Sequence, residues 1–180
     1  PVVPVDERPQ RRDAARNRAR LAHVAADVFG DQGLDVGVGE IARRAGVGVA
    51  TLYRHFPAKT DLVRAVLAQE VDALAAQVPA MVAAPHPLRA FLTAAVHLQS
   101  ANRGLLDALA AQSPDGEVRR HLGERLLGAL GPLTRAAHDS GELRRDYGAE
   151  DLLVVVRMLG AAAHDPQRYL EVALQGLRPA

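Results

Sequence analysis

Apolar side chains recur along this chain at steps of three and four, the period of helices that bury one face. Leu21, Val24, Ala25, Val28 and Phe29 form one such stripe and predict a helix over 13–29, closed by Gly30 or Gly33. Val38, Ile41, Ala42 and Ala45 form a second, shorter one. Gly46 follows where a helix commonly ends in a left-handed residue, a conformation that glycine adopts without steric cost. Val47 fills the corner, and Gly48 opens another short helix on which Leu52 and Phe56 share the inward face. Ala50 and Arg54 point away from that face, with Thr51 and Tyr53 on its flanks.

Beyond Pro57 the stripe Leu62, Val63, Val66, Leu67, Val71, Leu74 predicts a helix over 59–77. Lys59 stands at its start, beside free N–H groups that attract a phosphate. The stretch PAMVAAPHP at 79–87 reads as a linker or corner. Further helices are predicted at 87–101 (Leu88, Phe91, Leu92, Ala95, Leu98), 103–111 (Leu105, Leu106, Leu109), 115–138 (Val118, Leu122, Leu126, Leu127, Leu130, Leu133), 148–163 and 166–177. Gly131-Pro132 should kink or break the third of these, since proline removes a helical hydrogen bond. No stretch alternates like a strand, so the fold class is all-α. A helix-turn-helix domain is expected over 13–60, with its motif at 37–56, and a second helical domain over 61–180. Residues 1–12, with three prolines and mixed charge, are expected to be a disordered basic arm.

Composition narrows this little, and charge somewhat more. The 180 residues include no cysteine, which excludes disulfides and thiolate metal sites and suits a cytoplasmic protein. No apolar run is long enough to span a membrane, and no signal-peptide pattern is present; the chain begins at Pro1, which leaves room for residues upstream. Residues 1–64 carry 11 basic and 8 acidic side chains, whereas the remainder carries 11 and 13. Six arginines lie between Arg8 and Arg20 against Asp13 alone. Such a run is either a solvated face or an arm that follows phosphates or enters a minor groove.

A small helix anchored by two apolar residues, with a short, polar and partly basic outer face, suits a DNA major groove; an ordinary helical hairpin is the alternative. Phe29-Gly30, then GEIARRAGV, then TLYRHF, then Lys59 and Leu62 resemble the N-terminal domain of the tetracycline-repressor-like (TetR) family of bacterial transcription regulators. The similarity covers about residues 14–68, and ATLYRHFPAKTDL is its most specific piece. Two positions depart from it: Val36-Gly37 stands where the family usually has a threonine pair, and Gly48 where it usually has a capping serine. Both departures remove a hydroxyl that caps a helix and touches phosphate. The resemblance implies an N-terminal three-helix DNA-binding domain and a C-terminal helical domain for effector binding and dimerisation. It assigns a phosphate clamp to Thr51, Tyr53, His55 and Lys59. Geometry makes Val49, Ala50 and Arg54 the candidate base readers, with Arg54 suited to paired hydrogen bonds on guanine, and Arg43 and Arg44 are further candidate DNA contacts.

No glycine-rich phosphate loop, metal-spaced histidine pair, nucleophile elbow or paired apolar carboxylates occur, so no catalytic, metal or cofactor residue is assigned and an enzyme is not expected. His121 with Glu124 comes nearest to a constellation and reads as a surface pair. An effector cavity implied by the resemblance would draw on Phe91 and on polar residues that interrupt apolar faces: His97, Asn102, Arg103, His121, Arg125 and Arg157. A lone histidine or arginine there is more often a satisfied structural group or an interface contact than a ligand contact. With few aromatic residues, such a cavity would take an apolar or weakly acidic small molecule. The last two helices carry more apolar surface than one core stripe needs, and Leu152, Val155, Val156, Leu159, Ala163, Leu170 and Leu174 are expected at a dimer seam. The turn Gly141-Glu142-Leu143-Arg144 resembles the one that often precedes those helices in the family. Together these features point to a homodimer on a double-stranded palindromic operator, repressing transcription until an effector beneath the 59–77 helix releases it. The alternatives are a DNA-binding dimer without an effector, and a helical interaction protein with a vestigial helix-turn-helix.

Overall fold

A computed structural model of the chain describes residues 7–112, 116–161 and 166–179; for 7–11, 166 and 167 it describes the backbone alone. Among the described residues it has nine helices and no strand: α1 (Glu7–Gln32), α2 (Val38–Arg44), α3 (Val49–His55), α4 (Lys59–Val82), α5 (Pro87–Ala101), α6 (Arg103–Gln112), α7 (Glu117–Asp139), α8 (Ala149–Ala161) and α9 (Pro166–Gly176). The chain divides into two units, Pro1–Gln69 and Glu70–Ala180. The division falls inside α4, after Leu62, Val63, Val66 and Leu67, which are buried. A boundary at 60/61 would have counted those two turns with the second unit.

Three boundaries differ from those expected of the sequence. Residues 7–12, expected to be unstructured, are helical; the rest of that arm, 1–6, lies outside the described residues. Pro9 falls in the first turn of α1, where its missing N–H has no helical partner to lose. Alpha-helix α4 continues through Pro79 to Val82, and α7 runs unbroken through Pro132. Both prolines are exposed while the neighbouring Val78 and Leu133 are buried, so each ring lies on the outer side of its helix and the inner side keeps its packing.

In the first unit the buried residues are those of the predicted stripes: Leu21, Ala25, Val28 and Phe29 of α1, Ile41 and Ala42 of α2, Leu52 of α3 and Phe56 just beyond it. The α2–α3 corner turns on Gly46, at φ +65, whose N–H donates to the Arg43 carbonyl at 3.1 Å while the Val47 N–H donates to that of Ala42 at 3.0 Å.

In the second unit α5 is central, packing against α6, α7, α8 and α9. Its start lacks a local side-chain cap, and a residue from far along the chain supplies one. Glu142, buried in the turn after α7, accepts the Leu88 N–H at 3.1 Å and the Ser140 hydroxyl at 3.3 Å. Beside it Leu143 is fully buried, and the Arg144 N–H donates to the Leu177 carbonyl at 2.9 Å, tying the turn to the end of α9. Arg89 of α5 forms a fork on Glu171 of α9, which holds that carboxyl below the usual carboxylate range.

The seam residues fare differently from expectation. Leu152, Leu159, Leu170 and Leu174 lie in this unit's own core, and Val155 and Val156 are half-buried against it. Ala163 lies outside the described residues. Periodicity identified an apolar face but could not say whether its inner edge meets the same chain or another.

Candidate nucleic-acid interface

Helix α3 is short, so its orientation depends on what holds its two ends. At its start Gly48 takes an extended conformation (φ −70, ψ 149), and its carbonyl accepts the Thr51 and Leu52 N–H groups at 2.9 and 3.1 Å. No side chain caps that end. At its finish the Phe56 N–H donates to the Leu52 carbonyl at 2.9 Å, and Arg18 of α1 donates to the His55 carbonyl. The Arg18 guanidinium also lies 4.1 Å from the centre of the Phe56 ring. Arg20 does the same service for α2: it donates to the Ala45 carbonyl at 3.0 Å and, through its other terminal nitrogen, to Asn17 Oδ1 at 3.2 Å. A guanidinium at a helix C-terminus satisfies leftover carbonyls and opposes the negative end of the dipole. Two arginines of the basic run therefore clamp the motif. Of the others, Arg16 pairs with Asp13 on its own helix and Arg12 is exposed. Nothing in the apolar periodicity signals this clamp, because it is made by exposed and half-buried polar groups.

With Leu52 and Phe56 buried, the opposite face of α3 is presented outward. Val49, Ala50, Tyr53 and Arg54 are exposed, and Thr51 and His55 are half-buried at its margins. Arg54 makes no hydrogen bond or ion pair with the described residues. The His55 ring is held from behind by Asn17, whose amide nitrogen lies 3.1 Å from Nε2.

The remaining candidate DNA contacts are already engaged. Arg43 forms a fork on Glu40 at 2.7 and 2.6 Å, which lowers the Glu40 carboxyl below its ordinary range. Arg44 bonds Asp31 at 2.7 Å. Lys59, assigned to a phosphate by resemblance, is half-buried, and its ammonium donates to the carbonyls of Leu34 and of Val36, the latter at 2.7 Å. At the start of α4 the Ala58 N–H bonds the Asp61 carboxylate at 3.0 Å, so a protein carboxylate occupies the place expected for phosphate.

The seven residues proposed for a cavity in the second unit are dispersed in role. Phe91 is fully buried among leucines of the core. Asn102 caps the end of α5 by donating to the Leu98 carbonyl at 3.0 Å. Arg125 grips Asp72 of α4 through two nitrogens, and His121 lies 3.7 Å from Glu124. His97, Arg103 and Arg157 are exposed. What the sequence reading missed in this unit is an outward apolar stripe: Val154 and Met158 on α8, Tyr169 and Val172 on α9, 43, 67, 49 and 62% exposed. Its spacing of four and three residues was visible, overshadowed by the leucines beside it. Among the described residues no cluster of three or more histidine, aspartate or glutamate side chains is placed to hold a metal, and no helix is long and apolar enough to cross a membrane.

Comparison with known proteins covers both units. Residues 21–66 match the family profile described as bacterial regulatory proteins, tetR family, and residues 84–179 match the C-terminal domain of SbtR-like transcriptional regulators. The crystal structure of a TetR transcription regulatory protein from Mycobacterium vanbaalenii is 37% identical, with a TM-score of 0.66 over 95% of this chain and 100% of that one. A TetR transcriptional regulator from Streptomyces coelicolor is 32% identical, with a TM-score of 0.62 over 91% of this chain and 99% of that one. A curated HTH-type transcriptional regulator of Staphylococcus aureus is 38% identical over 63 residues; the match spans only 34% of that relative's length and 34% of this chain.

Proposed function

The chain belongs to the tetR family of bacterial regulatory proteins, DNA-binding transcription factors rather than enzymes, and from that premise we propose that it acts as a homodimer that occupies a palindromic operator and represses transcription until a small molecule releases it. The observation that carries this reading is the outer face of α3. Val49, Ala50, Tyr53 and Arg54 project from a helix whose ends are clamped by Arg18 and by the Gly46 corner, which is the presentation that a major groove requires. Arg54, exposed and uncommitted, is the guanine reader; Val49 and Ala50 suit the methyl groups of thymine. Thr51, Tyr53 and His55 flank them as phosphate contacts.

One recognition helix reads too few base pairs for specificity, and a two-fold pair reads a palindrome across successive major grooves. The outward stripe Val154, Met158, Tyr169, Val172 supports a seam in which α8 and α9 of two copies form a four-helix bundle. The effector is an apolar or weakly acidic small molecule bound in the C-terminal unit, where buried side chains are mainly aliphatic. Its action is a population shift: moving the dimer from almost all bound to almost all free takes roughly 5.5 kcal/mol of differential affinity between the two states. The dispersal of the seven cavity candidates favours a second reading, a DNA-binding dimer without an effector. A screen for ligands that both raise the melting temperature and release DNA separates the two.

The test of DNA reading is fluorescence anisotropy on duplexes from the region upstream of the chain's own gene. Arg54→Ala should cost about 1–3 kcal/mol and relax discrimination at one operator position. Equal losses on every duplex would exclude base reading by Arg54. A protein that is monomeric and ignores duplex DNA at low ionic strength would overturn the whole proposal.

A further inference from the structure

We propose that Asn17, itself oriented by Arg20, is a positioning residue that holds His55 in the tautomer with its ring proton on Nδ1, and that this Nδ1–H is the donor the ring offers to a DNA phosphate. The second half rests on the DNA-binding reading above; the first does not.

A guanidinium has five N–H donors and no acceptor, so whichever end of the Asn17 amide faces Arg20 must be its oxygen. Arg20 lies 3.2 Å from that oxygen and cannot swing aside freely, because its other terminal nitrogen donates to the Ala45 carbonyl at 3.0 Å. The amide NH2 is thereby aimed at His55, 3.1 Å from Nε2. An NH2 group has only hydrogens to offer, so Nε2 must present a lone pair, and the proton of the neutral ring resides on Nδ1. Reversing the amide would set its NH2 against a guanidinium and its oxygen against Nε2, which costs the Arg20 bond. The arrangement has one consistent solution.

The other charged groups around the ring do not offer another. Arg18 of α1 donates to the His55 carbonyl, and Arg54 precedes His55 in α3. No carboxylate bonds the ring among the described residues, so no acceptor calls for Nε2–H. Nε2 faces α1, within the clamp; Nδ1 makes no hydrogen bond with the described residues. His55 is at the margin of the outward face of α3, where a phosphate of the groove wall would be met. In a ring free to exchange, the two tautomers coexist, and part of the population would present a bare Nδ1 to an anion. Fixing the tautomer removes that fraction before DNA arrives.

The test is nitrogen-15 imidazole spectroscopy on the free full chain, at a pH where its histidines are neutral. The expected wild-type signature for His55 is a protonated Nδ1 and a bare Nε2. Asn17→Ala should release the ring to a mixture. Asn17→Asp, whose carboxylate accepts from Arg20 and from Nε2–H together, should reverse the signature. In anisotropy, Asn17→Ala should weaken DNA binding by about three- to tenfold, and should have no further effect in a His55→Ala background. A wild-type ring protonated on Nε2, or a spectrum that Asn17→Ala leaves unchanged, would overturn the tautomer assignment. An equal loss in both backgrounds would overturn the route through His55. If the wild type binds no duplex at all, the phosphate contact is refuted with the DNA reading, while the tautomer stands or falls on the spectrum alone.

Discussion

Replacing Lys59 by methionine keeps the stem and removes the ammonium, and so asks what that charge serves. In the structure it ties α4 to the loop between α1 and α2 through the carbonyls of Leu34 and Val36. Hydrogen bonds from a charged donor contribute about 1.5–3 kcal/mol each when the site is dry. Leu34 and Val36 are only half-buried, so water replaces part of what is lost, and the expected destabilisation is about 1–2 kcal/mol in total. In a chain of this size that corresponds to a fall in melting temperature of roughly 2–8 °C. The effect on DNA should be indirect. The loop leads into Gly37, the residue before α2, so loosening it weakens binding without removing a phosphate contact. The assay is therefore twofold: a denaturant melt for stability, and operator affinity by anisotropy across a salt series. A residue that neutralises a phosphate contributes about 0.9 to the slope of log affinity against log salt. The expected result is a destabilised protein with the wild-type slope. An unaltered melt with a slope reduced by about 0.9 per subunit would refute this reasoning and return Lys59 to the phosphate clamp.

Gly48→Ser should restore a helix cap: the backbone there is extended, nothing lies within 4 Å of an added Cβ, and the gain should be a few tenths of a kcal/mol with tighter DNA binding. A lower melting temperature would show that the open space is not usable. Glu142→Ala removes the buried cap of α5 and should lower stability by about 1–3 kcal/mol in a denaturant titration; a loss below about 0.5 kcal/mol would mean that water serves the Leu88 N–H equally well. Met158→Glu alters a side chain that is 67% exposed in the single chain, so it should leave folding nearly unchanged while light scattering reports monomer in place of dimer. A dimer that persists with wild-type affinity would move the seam elsewhere.

The helices themselves were legible from spacing alone. Leu21, Ala25, Val28 and Phe29, Ile41 and Ala42, and Leu52 and Phe56 are buried where their three-and-four pattern placed them, with Val24 half-buried beside them. Gly46 has the left-handed φ that its position between two short apolar stripes implied. Pro79 was expected in a linker and Pro132 to kink or break its helix; α4 instead continues to Val82 and α7 is unbroken, each at the loss of a single helical hydrogen bond. The outward face of α3 was legible too, since burying Leu52 and Phe56 turns Val49, Ala50, Tyr53 and Arg54 outward.

Local pattern thus determined the elements, the all-α class and the outer face of α3, because each depends on residues within one or two helical turns. Tertiary structure decided the commitment of several charged side chains among the described residues. Arg18 and Arg20 became clamps on α3 and α2 rather than parts of a free arm; Lys59 became a loop tie; Glu142 became the cap of a helix that begins 55 residues earlier in the chain. Leu152 and Leu174 went to the core, while Met158 and Val172, which periodicity had passed over, remained outside. The physical reason is the same in each case. A hydrogen bond or a buried contact needs a partner at a few ångströms, and that partner is brought in by the fold from a part of the chain that no local pattern reaches.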